Sequence, residues 1–279
     1  MKIHIAFAIL VLGAACVQAS VYISAWNIQV FGKSKMSDPE VVQVIVDVIE
    51  RYDICAVQEV RDIDEIAVYD LLDELNAQNN GAFSLELGPR VGRTSSKEQY
   101  AFYYRHDVVS VVRSYTYDDS KHDYFEREPH MVDFSTSHSA LTRFVFGAIH
   151  VKPDDAVAEI DYLTLVNDDA VDVYNNVNVL IGGDYNADCD YVREDDWQYI
   201  SYRTQSRFSW LIGDDADTNL ASSSCAYDRL VTHGAGFTDA FRPGSAKVFY
   251  YDIDLYGTPM DPTLALDVSD HYPVEMIID

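Results

Sequence analysis

Apolar and polar positions divide this 279-residue chain into many short strands and a few helices. Val21–Asn27 reads as a strand. Asp38-Pro39-Glu40 then opens an amphipathic helix predicted to run to about Arg51, with Asp38 as N-cap and Pro39 in the first turn. Ile54–Gln58 is a short apolar run of the buried-strand type, and a second helix is predicted over Ile63–Asn76. Residues 82–87, 99–105, 107–116 and 141–150 alternate as sheet strands do. Ala156–Tyr174 reads as a long helix, with Val157, Ile160, Leu163, Val166 and Ala170 at helical spacing. Strands follow near 177–183, 226–232, 247–251 and 271–278. No linker, repeat or low-complexity tract interrupts this order, so residues 21–279 are expected to form a single domain. Strands outnumber helices, and two packed β-sheets flanked by helices, an α/β architecture, is the natural layering.

The first twenty residues read differently. A basic start, the apolar run Ile5–Ala15 and the small residues around Ala19 are the pattern of a signal peptide cleaved after Ala19 or Ser20. The run is too short to span a bilayer, and no later stretch reads as a span, so a secreted protein with no membrane association is expected. The cysteines suit that compartment. Cys55 lies in an apolar run and reads as a buried free thiol, whereas Cys189 and Cys225 lie in polar loops and would pair under oxidising conditions.

Composition changes this picture in two ways. At 48% hydrophobic residues the chain can build a large core, which excludes a disordered protein. A net charge of -26 argues against a protein that coats nucleic acid by bulk charge. It does not exclude an enzyme that cuts nucleic acid with the help of cations.

Candidate chemistry gathers where predicted strands end, at Glu59, His150, Asp184, Asp228 and the Ser269-Asp270-His271 segment. Carboxylates such as Glu59, Asp184 and Asp270 are hard ligands suited to Mg²⁺, Mn²⁺ or Ca²⁺. A His held by a carboxylate can take a proton from water, and a second His can give one to a leaving oxygen. Asn186 and arginines can hydrogen-bond phosphate oxygens. Together these groups point to phosphodiester hydrolysis.

The blocks Trp26-Asn27-Ile28, Gln58–Asp62, Lys97–Tyr100, Arg127-Glu128-Pro129, Gly183–Cys189, Cys225–Arg229 and Ser269–Glu275 resemble, in order, those of the secreted deoxyribonuclease I family. The resemblance covers nearly all of the chain after residue 20. It implies a four-layer α/β/β/α sandwich and endonucleolytic cleavage of double-stranded DNA to 5′-phosphate ends, dependent on Mg²⁺ (or Mn²⁺) and aided by structural Ca²⁺. It implies Glu98 paired with His150 and Asp228 with His271 as the general acid–base apparatus. Glu59, Asp184 and Asp270, with Asn27 nearby, would hold the catalytic cation. Asn186 would bind phosphate, Arg61 and Arg127 would contact DNA, and Arg93 and Tyr191 are further DNA-binding candidates. Cys189–Cys225 would be the family's larger disulfide, and a monomer is expected.

Several positions depart from the family's pattern. The loop of its smaller disulfide is shortened to Asp119–Asp123. Asp119, Asp123, the carbonyl of Phe125 and Glu128 still resemble a structural Ca²⁺ site. A second Ca²⁺ loop would use Asp217 and Asn219, with fewer ligands because Ala221 has no polar side chain. Ser96 stands in place of a groove-binding Tyr, and Gln29 in place of an Arg that touches backbone. Leu85–Arg90 differs from the loop by which some vertebrate members bind actin, so actin binding is not expected. The alternatives are a phosphodiesterase or phosphatase acting on a lipid or small phosphate, and a catalytically weak binding protein with the same fold.

Overall fold

The computed structural model describes residues 19–279. The expected signal segment lies outside the described residues except for its last two positions. Twelve strands form two six-stranded mixed sheets. The first comprises β1 (Val21–Phe31), β2 (Ile54–Val60), β3 (Phe83–Leu87), β4 (Gln99–Arg105), β11 (Lys247–Val248) and β12 (Val274–Ile278), in the order β11-β12-β1-β2-β4-β3. The second comprises β5 (Val109–Thr116), β6 (His130–Thr136), β7 (Arg143–His150), β8 (Val179–Asp184), β9 (Phe208–Trp210) and β10 (Asp228–His233), in the order β5-β6-β7-β8-β10-β9.

Alternation along the second sheet assigns its two faces. Phe144, Phe146, Ala148, Leu180 and Leu230 join the core cluster that also contains the first sheet. Their neighbours Val145, Ile149, Val179, Ile181 and Val231 pack instead with Ile160, Leu163, Val166 and Ala170 of the helix Ala156–Tyr174. On the other side, the helices Pro39–Ile49 and Ile66–Gln78 bury Val41, Ile45, Val48, Leu71 and Leu75 in the first cluster. The result is the expected helix–sheet–sheet–helix sandwich. Asp38 caps the Pro39–Ile49 helix by accepting from the Glu40 and Val41 amides.

β6 was not among the strands expected from the pattern. Its residues are buried from His130 to Phe134, and this run includes His130 and Asp133. Asp133 is compensated by Arg143 on β7, whose guanidinium grips both carboxylate oxygens, at 3.0 and 2.6 Å. A strand that buries charge against a neighbour has no clean period of two. The strand expected over 247–251 shortens to Lys247–Val248 before a helical turn, and the last strand starts at Val274, after Pro273. Cys189 and Cys225 form the disulfide, with Cα atoms 5.9 Å apart, and Cys55 is the buried free thiol.

Candidate active site

β1 and β2 are parallel, as are β7 and β8, while β4, β12 and β10 run antiparallel to their neighbours in these pairs. The carboxyl ends of the parallel strands therefore meet the amino ends of the antiparallel ones at one rim. Asp184 ends β8 in register with His150 on β7 and Asp228 on β10. Gly183 permits this close spacing. Its φ is +138°, and a Cβ there would collide with the Ile149 carbonyl oxygen.

Two His–carboxylate pairs stand at this rim, and each bridges the two sheets. His150, from the second sheet, holds Glu98, from the first, through Nδ1 at 2.8 Å. His271, just ahead of β12 in the first sheet, holds Asp228 of the second through Nδ1 at 2.8 Å. The opposite nitrogens converge on one atom: His150 Nε2 and His271 Nε2 lie 3.5 and 3.6 Å from Asp184 Oδ2.

The surroundings of the pairs differ. Burial opposes the charge of Glu98, but the His150 hydrogen bond and charge, then Arg127 and Arg61, outweigh it and hold the carboxyl down at about 2. Arg61 donates to Glu98 Oε1 at 2.9 Å and Arg127 lies 3.6 Å away. Asp228 has no such cations. Burial pushes its carboxyl up, and the charge of Asp184 adds to this. Burial also disfavours the charged His271, yet facing Asp228 and Asp184 raises its pKa overall. Asp228 Oδ1 is buried without a hydrogen-bond partner. Burial likewise opposes Asp184, but His271, His150 and the Asn186 amide lower its pKa.

The cation-binding candidates also gather here. Asn27 Nδ2 donates to Glu59 Oε1 and to Asp184 Oδ2, both at 3.1 Å, while its Oδ1 accepts from the Gln29 amide. Asn27 thus clamps two carboxylates that would otherwise repel. Glu59 sits where β2 bulges, with φ +62°, and Gln29 and Val30 opposite are also left-handed. Its Oε2 accepts from the Val30 amide at 2.8 Å and pairs with Arg61 at 3.0 Å. Asp270 is partly exposed, 3.9 Å from His271 Nε2. Among the described residues, Asp184, Asp228 and His271 offer possible ligand atoms within 4.8 Å of one another. Within this group, however, Asp228 Oδ2 and His271 Nδ1 already bond each other. Glu59, Asp184 and Asp270 offer the hard carboxylate oxygens that suit a cation such as Mg²⁺.

The other candidates are placed as follows. Asn186 donates its backbone N–H to Asp184 Oδ1 and its Nδ2 to the Val151 carbonyl, both at 2.9 Å. Arg127 donates to the His150 and Val151 carbonyls. Arg93 is held by Asp123 and Glu126. Tyr191 is exposed beside Tyr227, itself next to His271. Asp119 accepts from the Phe125 amide, and burial, with Asp119 and Asp123 close by, raises the Glu128 carboxyl. These acids therefore share one loop. Asp217 and Asn219 instead spend oxygens on the Asn219 and Ala221 amides, and Asn219 Nδ2 bonds Ser223.

The supporting roles of four residues were not read from the sequence. The Tyr100 hydroxyl accepts from the His150 amide. Glu159 accepts the amides of Glu126 and Lys152, at 2.8 and 3.0 Å, and so braces the segments carrying Arg127 and His150. It is fully buried on the helix face of Leu163 and Val166, and burial pushes its carboxyl up to about 7. An acid on that apolar face was the readable signal. Lys35 had no comparable signal, whereas Ser269 stood in the quoted Ser269-Asp270-His271 segment without a role of its own.

The family model for endonuclease/exonuclease/phosphatase proteins matches residues 24–271. Deoxyribonuclease-1 of Gallus gallus is 43% identical over 266 residues, covering 94% of this chain and 93% of the relative. Deoxyribonuclease-1-like 2 of Mus musculus is 44% identical over 256 residues, covering 91% and 90%. Among solved structures, an endonuclease/exonuclease/phosphatase family protein from Bacteroides thetaiotaomicron superposes with a TM-score of 0.62 at 15% identity, covering 93% of this chain and 98% of that one. The human Nocturnin catalytic domain gives 0.61 at 14% identity, covering 93% and 94%, a likeness of fold. On this evidence the chain belongs to the endonuclease/exonuclease/phosphatase family and, within it, groups with the deoxyribonuclease-1 proteins.

Proposed function

We propose that this deoxyribonuclease-1-like hydrolase is a secreted, monomeric endonuclease that cleaves double-stranded DNA with little sequence specificity. The observation that carries the reading is the pair of imidazoles, each backed by a buried carboxylate, converging on Asp184 at 3.5 and 3.6 Å. Two groups that exchange protons on either side of one point suit a displacement at phosphorus. Water adds to phosphorus and the bond to O3′ breaks. One imidazole takes the proton from water and the other gives a proton to O3′, leaving a 5′-phosphate and a 3′-hydroxyl. Glu98 and Asp228 fix the ring orientations through Nδ1, so that each Nε2 faces the substrate.

Glu59, Asp184 and Asp270, oriented by Asn27, would hold Mg²⁺ or Mn²⁺, which when bound neutralises charge on the phosphate. Asn186, Arg61 and Arg127 would hydrogen-bond its oxygens, with Arg93 and Tyr191 further along the DNA. Ca²⁺ at Asp119, Asp123, Phe125 and Glu128 would be structural, with Asp217 and Asn219 a weaker site. Export is supported by the N-terminal apolar segment and the Cys189–Cys225 disulfide. No helix among the described residues is long and apolar enough to cross a membrane. Actin binding is not part of this reading.

The test is nicking of supercoiled plasmid with Mg²⁺ plus Ca²⁺, with and without chelator, beside His150→Ala. Nicking that needs the cation and His150 is the expected result. No nicking, or equal nicking by the variant, would overturn it. RNA and a lipid phosphodiester in the same assay separate the other substrate classes.

A further inference from the structure

We propose that Lys35, together with Ser269, is a positioning residue that pins the Asn27 end of β1 to the Asp270–His271 segment and so sets the spacing of the cation-binding groups. This rests on the cation reading given above. Asn27 and Asp270 are far apart in sequence, on separate segments, and a shared cation needs their oxygens at fixed distances. Two side chains stitch these segments together.

Lys35 lies in the single helical turn Lys33–Met36 that follows β1. Its ammonium donates to the Ile28 carbonyl at 2.6 Å and to the Val268 carbonyl at 2.5 Å. Both acceptors come from places where regular structure leaves carbonyls unpaired. Ile28 lies where the β1–β2 ladder is interrupted, between Asn27 and Phe31. Val268 ends the helix Pro262–Val268, whose last carbonyls lack intrahelical donors and favour a cation. Ser269 closes the seam from the other side. Its hydroxyl donates to the Asn27 carbonyl at 2.7 Å and accepts from the His271 amide at 3.0 Å. Residues 27–28 are thereby held against residues 268–271, with a cation-binding candidate on each side.

The sign of the effect separates positioning from simple electrostatics. Asp270 and Glu59 are among the charged neighbours of Lys35. Removing a positive charge beside them should by Coulomb's law tighten the binding of a divalent cation. Weaker binding can then come only from lost positioning.

The experiment titrates the full protein with Mn²⁺ and counts the free ion by electron paramagnetic resonance. The part of the binding that Asp184→Asn abolishes defines the site. Lys35→Met, which keeps the length and loses the donors, should bind Mn²⁺ there about tenfold more weakly, as lost outer contacts commonly do. Its kcat in plasmid nicking should fall with the affinity, while KM for DNA stays within about twofold. Ser269→Ala should shift Mn²⁺ binding in the same direction by less, and it carries the test alone should Lys35→Met not fold. Lys33→Met, at the exposed ammonium that pairs with Asp62 and Asp64, should bind Mn²⁺ as the unaltered protein does. Unchanged or tighter Mn²⁺ binding in folded Lys35→Met, or unchanged binding in Ser269→Ala where that carries the test, overturns the proposal. An unaltered protein that binds no Asp184-dependent Mn²⁺ would instead overturn the cation reading, and this inference with it.

Discussion

The Glu98–His150 and Asp228–His271 pairs have the same 2.8 Å geometry and opposite electrostatic settings. Glu98 is neutralised by two arginines as well as by its imidazole. Among the described residues, the only counter-charge beside Asp228 is its imidazole, and one of its oxygens is buried with no hydrogen-bond partner. Equal distances therefore do not make equal pairs. A buried carboxylate surrounded by cations is a stable charge. One opposed by burial is held only by the partner it charges.

Removing the imidazoles should have the largest effect. His150→Ala and His271→Ala should each lose about 10²–10⁴-fold in nicking rate. A DNA substrate with sulfur in place of the scissile O3′ then tells the pair apart, because a thiolate leaves without needing a proton. Only the variant lacking the proton donor should recover on it. Recovery by both variants, or by neither, would break the assignment of one donor and one acceptor.

Next come the carboxylates. Glu98→Gln leaves Arg61 and Arg127 facing a neutral amide and should cost about 3 kcal/mol, as broken buried ion pairs do. Asp228→Asn removes a charge that burial opposes and should cost much less. Urea unfolding of the two variants measures this difference directly, and equal losses would show that the arginines contribute little.

The pH dependence of stability follows from the same contrast. The Glu98 carboxyl titrates near 2 in the folded protein, below the ordinary 4.5, so its stabilisation is present above pH 4.5 and is lost as pH falls towards 2. Glu159 is opposite in sign. Its carboxyl titrates near 7, so stability declines as pH rises from about 4.5 to 7. Unfolding curves of Glu159→Gln at pH 5 and pH 8 should show less of that decline than the unaltered protein. A decline of the same size would remove Glu159 as its source.

The smallest effect is expected in DNA binding. Arg61 and Arg127 are committed to Glu98, and Arg93 to Asp123, so few cations are free to displace counterions. The slope of log affinity against log salt should be no steeper than about −2. A steeper slope would mean that DNA draws these arginines away from their carboxylates.

The sequence revealed the ends of the strands more readily than their partners. Asp184 follows an apolar run and a Gly pair, and both the strand and the acid at its end could be read. The pairing of Glu98 with His150 came from the family resemblance alone, because it joins different sheets and no local pattern encodes it. β6 escaped notice because Asp133 is buried against Arg143, and strand periodicity assumes that charges face water. Lys35 was unreadable for a similar reason. Its carbonyl partners belong to the backbone, so any residue types could stand at 28 and 268.

That both His–carboxylate pairs span the two sheets has a consequence for folding. A chain that has folded only one sheet contains half of each His–carboxylate pair and no complete one. On the proposed mechanism, DNA cleavage should therefore require the two sheets to be docked.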